Sequence, residues 1–189
     1  MNVENTLIYL IGFPGVGKLT VARIVCARIG AKLVDNHLIN NPIFSVIGAD
    51  GLAPIPEPAW DNIQVIRRIV LDSIVNIAPT SFSFVLTNVL FDKPTDRAVF
   101  DQVAAVAEAR AARLVPVILE CAEHEMVRRL AVADRATRLK MTDVEAARQI
   151  RREHTLMPVE HCNLLRLDTT YLSAEASADA ILTHLGALA

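Results

Sequence analysis

The chain reads as an α/β domain built around a buried parallel sheet. Short apolar runs alternate with longer amphipathic stretches, the rhythm of strand–helix–strand units. The first run, Leu7-Ile8-Tyr9-Leu10-Ile11, is apolar without a break, as strands covered on both faces are. A glycine-rich turn follows it directly and opens into a helical pattern. At 189 residues the chain fits one domain carrying a small insert or lid.

The elements follow in order. Residues from about Lys18 to Ile29 predict a helix with Val21, Ile24, Val25 and Ile29 on one side. Lys32 to Asp35 is a short second strand. A long excursion then runs through Gly48-Ala49-Asp50-Gly51 and the prolines Pro54, Pro56 and Pro58 to a helix from about Trp60 to Ile77. Structureless loops of that length are uncommon in compact domains, so the excursion points to function. Phe82 to Leu90 predicts a third strand, Leu114 to Glu120 a fourth, and Leu164 to Leu167 a fifth that ends at Asp168. Between the fourth and fifth lies a basic helical region, Met126 to Arg152, in which Thr142-Asp143-Val144-Glu145 reads as a capping box. Ser173 caps the last helix, which shows Ile181, Leu185 and Leu188 on one side.

Composition narrows the function classes. With 52% apolar and 21% charged residues, global disorder is excluded. The net charge of −2 does not suggest a basic nucleic-acid surface, so no nucleic-acid partner is expected. No run of 18 apolar residues accompanies the high mean hydropathy of +0.35, so no membrane span is expected either. Met1 to Asn5 lacks a basic stretch before the first apolar run, and no signal peptide is expected. Cys26, Cys121 and Cys162 are scattered and odd in number, which argues against a disulfide scaffold and favours a reduced, cytoplasmic setting.

The segment with the most chemistry is Gly12-Phe13-Pro14-Gly15-Val16-Gly17-Lys18-Leu19-Thr20, between a buried strand and a helix. Glycines let successive N–H groups turn inward toward phosphate oxygens, and a helix N-terminus adds partial positive charge. Lys18 has the reach to meet the β- and γ-phosphates of a nucleotide. The general pattern is G-x-x-x-x-G-K-[ST]; here Leu19 stands at the hydroxyl position and Thr20 follows. A leucine side chain does not bind magnesium.

The shape G-x-P-G-x-G-K-x-T resembles the phosphate-binding loop of adenylate kinases, where the hydroxyl residue also comes second after the lysine. That resemblance implies a nucleotide held by Gly12, Gly15, Val16, Gly17, Lys18, Leu19 and Thr20, with Thr20 in the magnesium or phosphate role. The wider order of elements is similar to the small P-loop kinases: nucleoside-monophosphate kinases, shikimate kinase, gluconate kinase and the chloramphenicol phosphotransferase group. The resemblance implies a five-stranded parallel sheet in the order 2-3-1-4-5 with helices on both faces. It also implies a substrate-binding insert over about 37–78, an arginine-rich lid over about 128–142, and ATP-dependent, Mg2+-dependent phosphoryl transfer to a small-molecule acceptor. Two other readings stand beside it: a nucleotide-binding switch or ATPase, and a non-catalytic nucleotide-binding module.

Further candidates follow. Asp35 ends the second strand, where ligands collect at the carboxyl edge of an open sheet. The resemblance gives an acid in this region magnesium or the acceptor hydroxyl to handle, and a carboxylate there orients that hydroxyl or takes its proton. His37 and Asn40 are weaker candidates for substrate contact. The lid candidates are Arg128, Arg129, Arg135, Arg138 and Lys140, since guanidinium groups match phosphate oxygens in a fork. The resemblance favours Arg135 and Arg138 as catalytic. Adenylate kinases place an acid at the end of the third strand; Thr87 and Asn88 stand here instead, as groups that hydrogen-bond water. Asp168-Thr169-Thr170 follows the fifth strand; the resemblance implies that this loop lies against the nucleotide base, and it equally reads as a strand end before a helix cap. His154, His161 and Cys162 lack a recognised metal-ligand spacing. The sparse charge of the insert favours a neutral hydroxylated acceptor; a phosphate-bearing one would need Arg67 or Arg68.

Overall fold

All five expected strands form, and all pair in parallel in the order β2-β3-β1-β4-β5. They are β1 (Thr6–Ile11), β2 (Lys32–Asp35), β3 (Phe84–Asn88), β4 (Arg113–Glu120) and β5 (Leu165–Asp168). The computed structural model describes residues 3–49, 55–130 and 143–188. Its helices are α1 (Lys18–Ile29), α2 (Asn36–Val46), α3 (Glu57–Asn76), α4 (Pro94–Ala109), α5 (Glu123–Leu130), α6 (Val144–Glu153) and α7 (Ala174–Ala187).

The unbroken apolar run of β1 is explained by its central place. All its residues are buried, and they alternate between two cores. Ile8 and Leu10 pack with Val21, Ala22 and Val25 of α1 and with Ile181 and Leu185 of α7. Leu7, Tyr9 and Ile11 face the other side, with Leu71 and Ile74 of α3 and Val99, Val103 and Val106 of α4. Each such side chain contributes about 1.5–3 kcal/mol through burial, which fixes the sheet between two helical layers. From β1 the chain crosses to β2 and β3 on one side and later to β4 and β5 on the other. The C-terminal end of β1 is therefore the topological switch point, where open α/β sheets form their ligand crevice.

Several elements differ from expectation. The stretch after β2 is not a loop: α2 starts at once, at Asn36. Asparagines and an internal Pro42 mask it, because both have low helix propensity. Its Ile39 and Phe44 are buried against Ile63 of α3, and this third cluster holds the helix in place. Helix α4 escaped the sequence reading; Pro94 opens it, and Val99, Val103 and Val106 anchor it. Strand β3 is shorter than Phe82 to Leu90, since Phe82 belongs to a turn closed by its N–H donating to the Pro79 carbonyl at 3.0 Å. The cap of α6 is Asp143 rather than Thr142, and its carboxylate accepts from Glu145 N at 2.8 Å and Ala146 N at 3.1 Å. Ser173 caps α7 as expected, accepting from Ala176 N at 3.0 Å. Arg135, Arg138, Lys140 and Thr142 lie outside the described residues, as do Asp50 to Pro54. Among the described residues no helix is long and apolar enough to cross a membrane.

Candidate functional site

The glycine-rich loop leaves β1 and passes tightly against β4. A Cβ on Gly12 would stand 2.3 Å from the Leu119 carbonyl oxygen, so only glycine fits there. Gly15 and Gly17 have φ of +87° and +97°, in the left-handed region that L side chains avoid. Gly17 is also the N-cap of α1 and offers no side-chain cap, so the first-turn amides of α1 are not claimed by a capping side chain. A loop of left-handed glycines running into an uncapped helix start fits a phosphate chain. Lys18 Nζ donates to the carbonyls of Gly12 at 2.7 Å and Phe13 at 2.9 Å, which folds the ammonium over the loop. Val16 is fully buried, Leu19 is half-buried, and Thr20 is exposed in the first turn of α1.

The loop is stapled from behind. Arg129 of α5 donates through Nη1 to the Val16 carbonyl at 3.1 Å and to Thr169 Oγ1 at 3.0 Å, and through Nη2 to the Thr169 carbonyl at 2.6 Å. Thr169 lies within 3.2 Å of the Val16 carbonyl and 3.0 Å of the Glu120 carbonyl through its own hydroxyl. Glu125 holds the arginine in turn: Arg129 Nε donates to Oε1 at 2.6 Å, and Arg128 donates to both oxygens at 2.7 and 2.6 Å. These hydrogen bonds, Arg128 first, pull the Glu125 carboxyl down to about 2 against the opposing effect of burial. Arg129 is thus not a solvated lid residue, and Thr169 ties the end of β5 to the glycine loop.

A second group sits at the ends of β2 and β3. Asp35 is buried, and Thr87 Oγ1 donates to its Oδ1 at 2.5 Å. The same hydroxyl accepts from Asn36 N at 3.2 Å. His37 Nδ1 stands 3.9 Å from Asp35 Oδ2. Asn88 turns inward, its Nδ2 donating to the Tyr9 hydroxyl at 3.2 Å. So Thr87 and Asn88, expected to serve water, are engaged with Asp35 and Tyr9. Burial pushes the Tyr9 phenol up to about 12, which keeps it neutral. Arg67 of α3 is buried beside these groups, in a small cavity with Tyr9, Asn36, Thr87 and Asn88, whereas Arg68 is exposed. Asn40 is buried as well, and its Oδ1 has no hydrogen-bond partner among the described residues.

One cation was missed in the sequence. Arg151 of α6 places its guanidinium 5.5 Å from the ring centroid of Phe13, in the glycine loop. Its Nη1 is buried and has no hydrogen-bond partner among the described residues. In the sequence it is one of several arginines near a helix C-terminus, where any cation is favoured by the helix dipole. Burial beside Phe13 is what distinguishes it.

The segment after α6 is clasped to the segment after β3. Met157 N donates to the Leu90 carbonyl at 3.0 Å and Asp92 N to the Thr155 carbonyl at 2.9 Å. His154 stacks on Phe91 with centroids 4.5 Å apart, and Phe91 lies 6.0 Å from Phe13. His161 Nδ1 accepts from Asn163 N at 3.1 Å. Both histidines therefore have local roles.

No protein-family model and no curated protein matches the chain. Solved structures do match its fold. A sugar kinase from Janibacter sp. superposes with a TM-score of 0.66 at 16% identity, over 96% of this chain and 95% of that one. A gluconokinase from Sinorhizobium meliloti gives 0.66 at 14% identity, over 100% and 95%. The APS kinase of Mycobacterium tuberculosis, solved with AMPPNP and APS, gives 0.58 at 15% identity, over 97% and 99%. At these identities the likeness is one of fold, and the fold is that of P-loop small-molecule kinases.

Proposed function

We propose that this protein is an ATP-dependent phosphotransferase acting on a hydroxyl group of a small-molecule acceptor. The observation that carries the reading is the pairing of the glycine loop with Asp35. The loop ends β1, Asp35 ends β2, and β3 lies between them. Two inter-strand spacings separate them by about 10 Å along the sheet edge. That span accommodates a transferring phosphoryl group and an acceptor hydroxyl between the loop and the carboxylate.

In this reading the amides of Gly15 to Lys18 cradle the phosphates, and Lys18 Nζ moves from the Gly12 and Phe13 carbonyls to the phosphate oxygens. Thr87 holds Asp35 by Oδ1, and the carboxylate orients the acceptor hydroxyl and takes its proton. The acceptor oxygen bonds to the γ-phosphorus as the bond to the β,γ-bridging oxygen breaks, and ADP leaves with that electron pair. Arg151 supplies a cation beside the loop, and Arg135 and Arg138 are assigned to closing over the phosphates and excluding water. Thr20 and the nucleotide phosphates would hold magnesium, which neutralises charge on the transferring group. The exposed hydroxyl of Thr20 in the first turn of α1 fits contact through water.

The test is ADP release from Mg-ATP over a panel of acceptors: nucleosides, nucleoside monophosphates, sugar acids, shikimate and hydroxylated antibiotics. Acceptor-dependent turnover that Lys18→Ala abolishes supports the reading. ATP binding with acceptor-independent, slow hydrolysis across the whole panel overturns it for these acceptors and favours a nucleotide switch.

A further inference from the structure

We infer that this protein forms a symmetric dimer through the outer face of helices α2 and α3, with α3 of one copy packed antiparallel on α3 of a second copy.

A single apolar side chain on a surface is ordinary, but a cluster marks an interaction site. Of the nine large apolar side chains exposed among the described residues, six belong to α2, its C-cap and α3: Leu38, Val46, Ile47, Trp60, Val65 and Ile69. The two helices lie antiparallel. At one end Arg67 Nη2 donates to Asn36 Oδ1 at 3.2 Å, and at the other Trp60 packs edge-on against Phe44 with ring centroids 5.9 Å apart. That alignment brings Leu38, 63% exposed, level with Val65 and one turn from Ile69, 60% exposed. Ile39, Phe44 and Ile63 are buried between the two helices, and Leu71 and Ile74 face the sheet. The exposed residues therefore occupy the remaining, outer side. Helix α2 contains no Asp, Glu, Lys or Arg in its 11 residues, a composition that suits a covered face better than a solvated one.

The outer face of α3 also carries the information about its occupant. Asp61, Val65, Arg68, Ile69 and Asp72 are all exposed and fall on one stripe of the helix. Asp61, Arg68 and Asp72 form no ion pair among the described residues, although Arg68 and Asp72 stand four apart. The order of the stripe is self-complementary. In a two-fold interface, residue i meets j and j meets i. With the axis passing beside Val65, antiparallel α3 helices set Arg68 of each copy against Asp61 of the other, twice, around a centre of Val65 and Ile69. Glu57 and Asp72, which are also exposed, lie about 11 Å from that axis along the helix and separate as the helices cross. An unrelated protein gives the stripe no reason to match itself, whereas a second copy does.

The size is adequate. By residue count α2 and α3 are about 16 and 30 Å long and each about 10 Å across, a flat outline of about 450 Å² that side-chain relief enlarges toward the roughly 800 Å² per partner of a stable interface. The same helix turns Arg67 inward to Asn36, so association braces the insert behind the candidate site.

Sedimentation velocity of the full chain tests this over about 1–200 µM, a range that spans affinities of about −8 to −5 kcal/mol. A species of twice the chain mass is expected. Val65→Ser with Ile69→Ser should raise the dimer dissociation constant by about 30-fold or more, since the apolar centre is lost. Arg68→Asp and Asp61→Arg should each raise it by about tenfold or more, because each sets like charges together twice. Combining Arg68→Asp with Asp61→Arg should restore it to within about threefold of wild type, since the pair is then reversed rather than broken. All these side chains are exposed, so thermal melting of the monomeric variants should match that of wild-type monomer at low concentration. Should the double serine variant melt early, the charge series decides alone. A monomer throughout the range overturns the inference. So does a dimer indifferent to these substitutions, a combined swap that fails to restore association, or an assembly larger than two, which an isologous face does not build.

Discussion

Thr87 donates to Asp35 Oδ1 at 2.5 Å, and the parallel register of β2 and β3 sets those two residues opposite each other. The bond is therefore built into the sheet rather than left to a mobile side chain. Thr87→Val keeps the shape and removes the donor, taking one hydrogen bond away from the buried Asp35 side chain. The expected cost at neutral pH is about 1–3 kcal/mol, because hydrogen bonds to charged groups are the strong ones. Thr87→Ser retains the hydroxyl and most of the stability. Urea denaturation of the two variants beside wild type checks this; a Val variant as stable as wild type would show that the bond contributes nothing.

Glu125 makes stability depend on pH in a defined window. Its carboxyl titrates at about 2 in the folded chain, against an ordinary value of 4.5, because Arg128 and Arg129 hydrogen-bond to the charged form. A depressed carboxyl pKa adds stability that is fully present above pH 4.5 and is lost as pH falls toward 2. Glu125→Gln cannot respond in this way. The urea midpoint of wild type should exceed that of the variant at neutral pH, and the gap should close steadily between those two values. A constant gap down to pH 2.5 would assign the stabilisation to packing instead.

Gly12 is fixed by space, whereas Gly48 is fixed by conformation alone. A Cβ at Gly12 meets the Leu119 carbonyl oxygen at 2.3 Å, and this is backbone of a neighbouring strand that cannot step aside cheaply. Gly48 has φ of +66° but open space around its Cβ position. Gly12→Ala should therefore cost about 2–3 kcal/mol or more and distort the glycine loop. Gly48→Ala should cost about 1–2 kcal/mol and leave nucleotide affinity intact. Chemical denaturation and titration with Mg-ATP separate the two; equal effects on affinity would contradict the assignment.

How much of this was legible in the sequence depends on what kind of signal each part carries. The glycine loop was readable because its chemistry lies within nine consecutive residues, Gly12 to Thr20. The strands were readable from apolar runs, and Asp35 from its place at a strand end. Helix α2 was not, because Asn36, Asn40, Asn41 and Pro42 disfavour a helix that burial of Ile39 and Phe44 imposes. The roles of Thr87, Arg67 and Arg151 were hidden for a different reason. Each depends on residues distant in the chain: Thr87 on Asp35, Arg67 on Asn36 and Tyr9, Arg151 on Phe13. Periodicity reports which side of a helix is buried, yet it does not report which distant group a buried arginine meets. For Arg128 and Arg129 the sequence offered two adjacent cations, and only packing separates the exposed one from the one behind the loop.

Arg129 links three elements through one side chain, and that makes it the sharpest test of how the loop is held. Its fork reaches Val16, Thr169 and Glu125, which belong to the glycine loop, the end of β5 and its own helix. Arg129→Lys preserves the charge but offers a single ammonium in place of the planar fork, so it can satisfy only part of this set. The Val16 carbonyl still receives the Thr169 hydroxyl, which keeps the loop from collapsing. The expected outcome is a folded protein whose affinity for Mg-ATP falls about tenfold, consistent with the loss of one or two charge-assisted hydrogen bonds that orient the loop. Arg128→Lys is the control, since Arg128 is mostly exposed and touches only Glu125 among these groups. It should change affinity by less than about twofold. If calorimetry finds the two variants alike, the staple behind the loop does not set nucleotide affinity, and the loop's own glycines and Lys18 hold it without help.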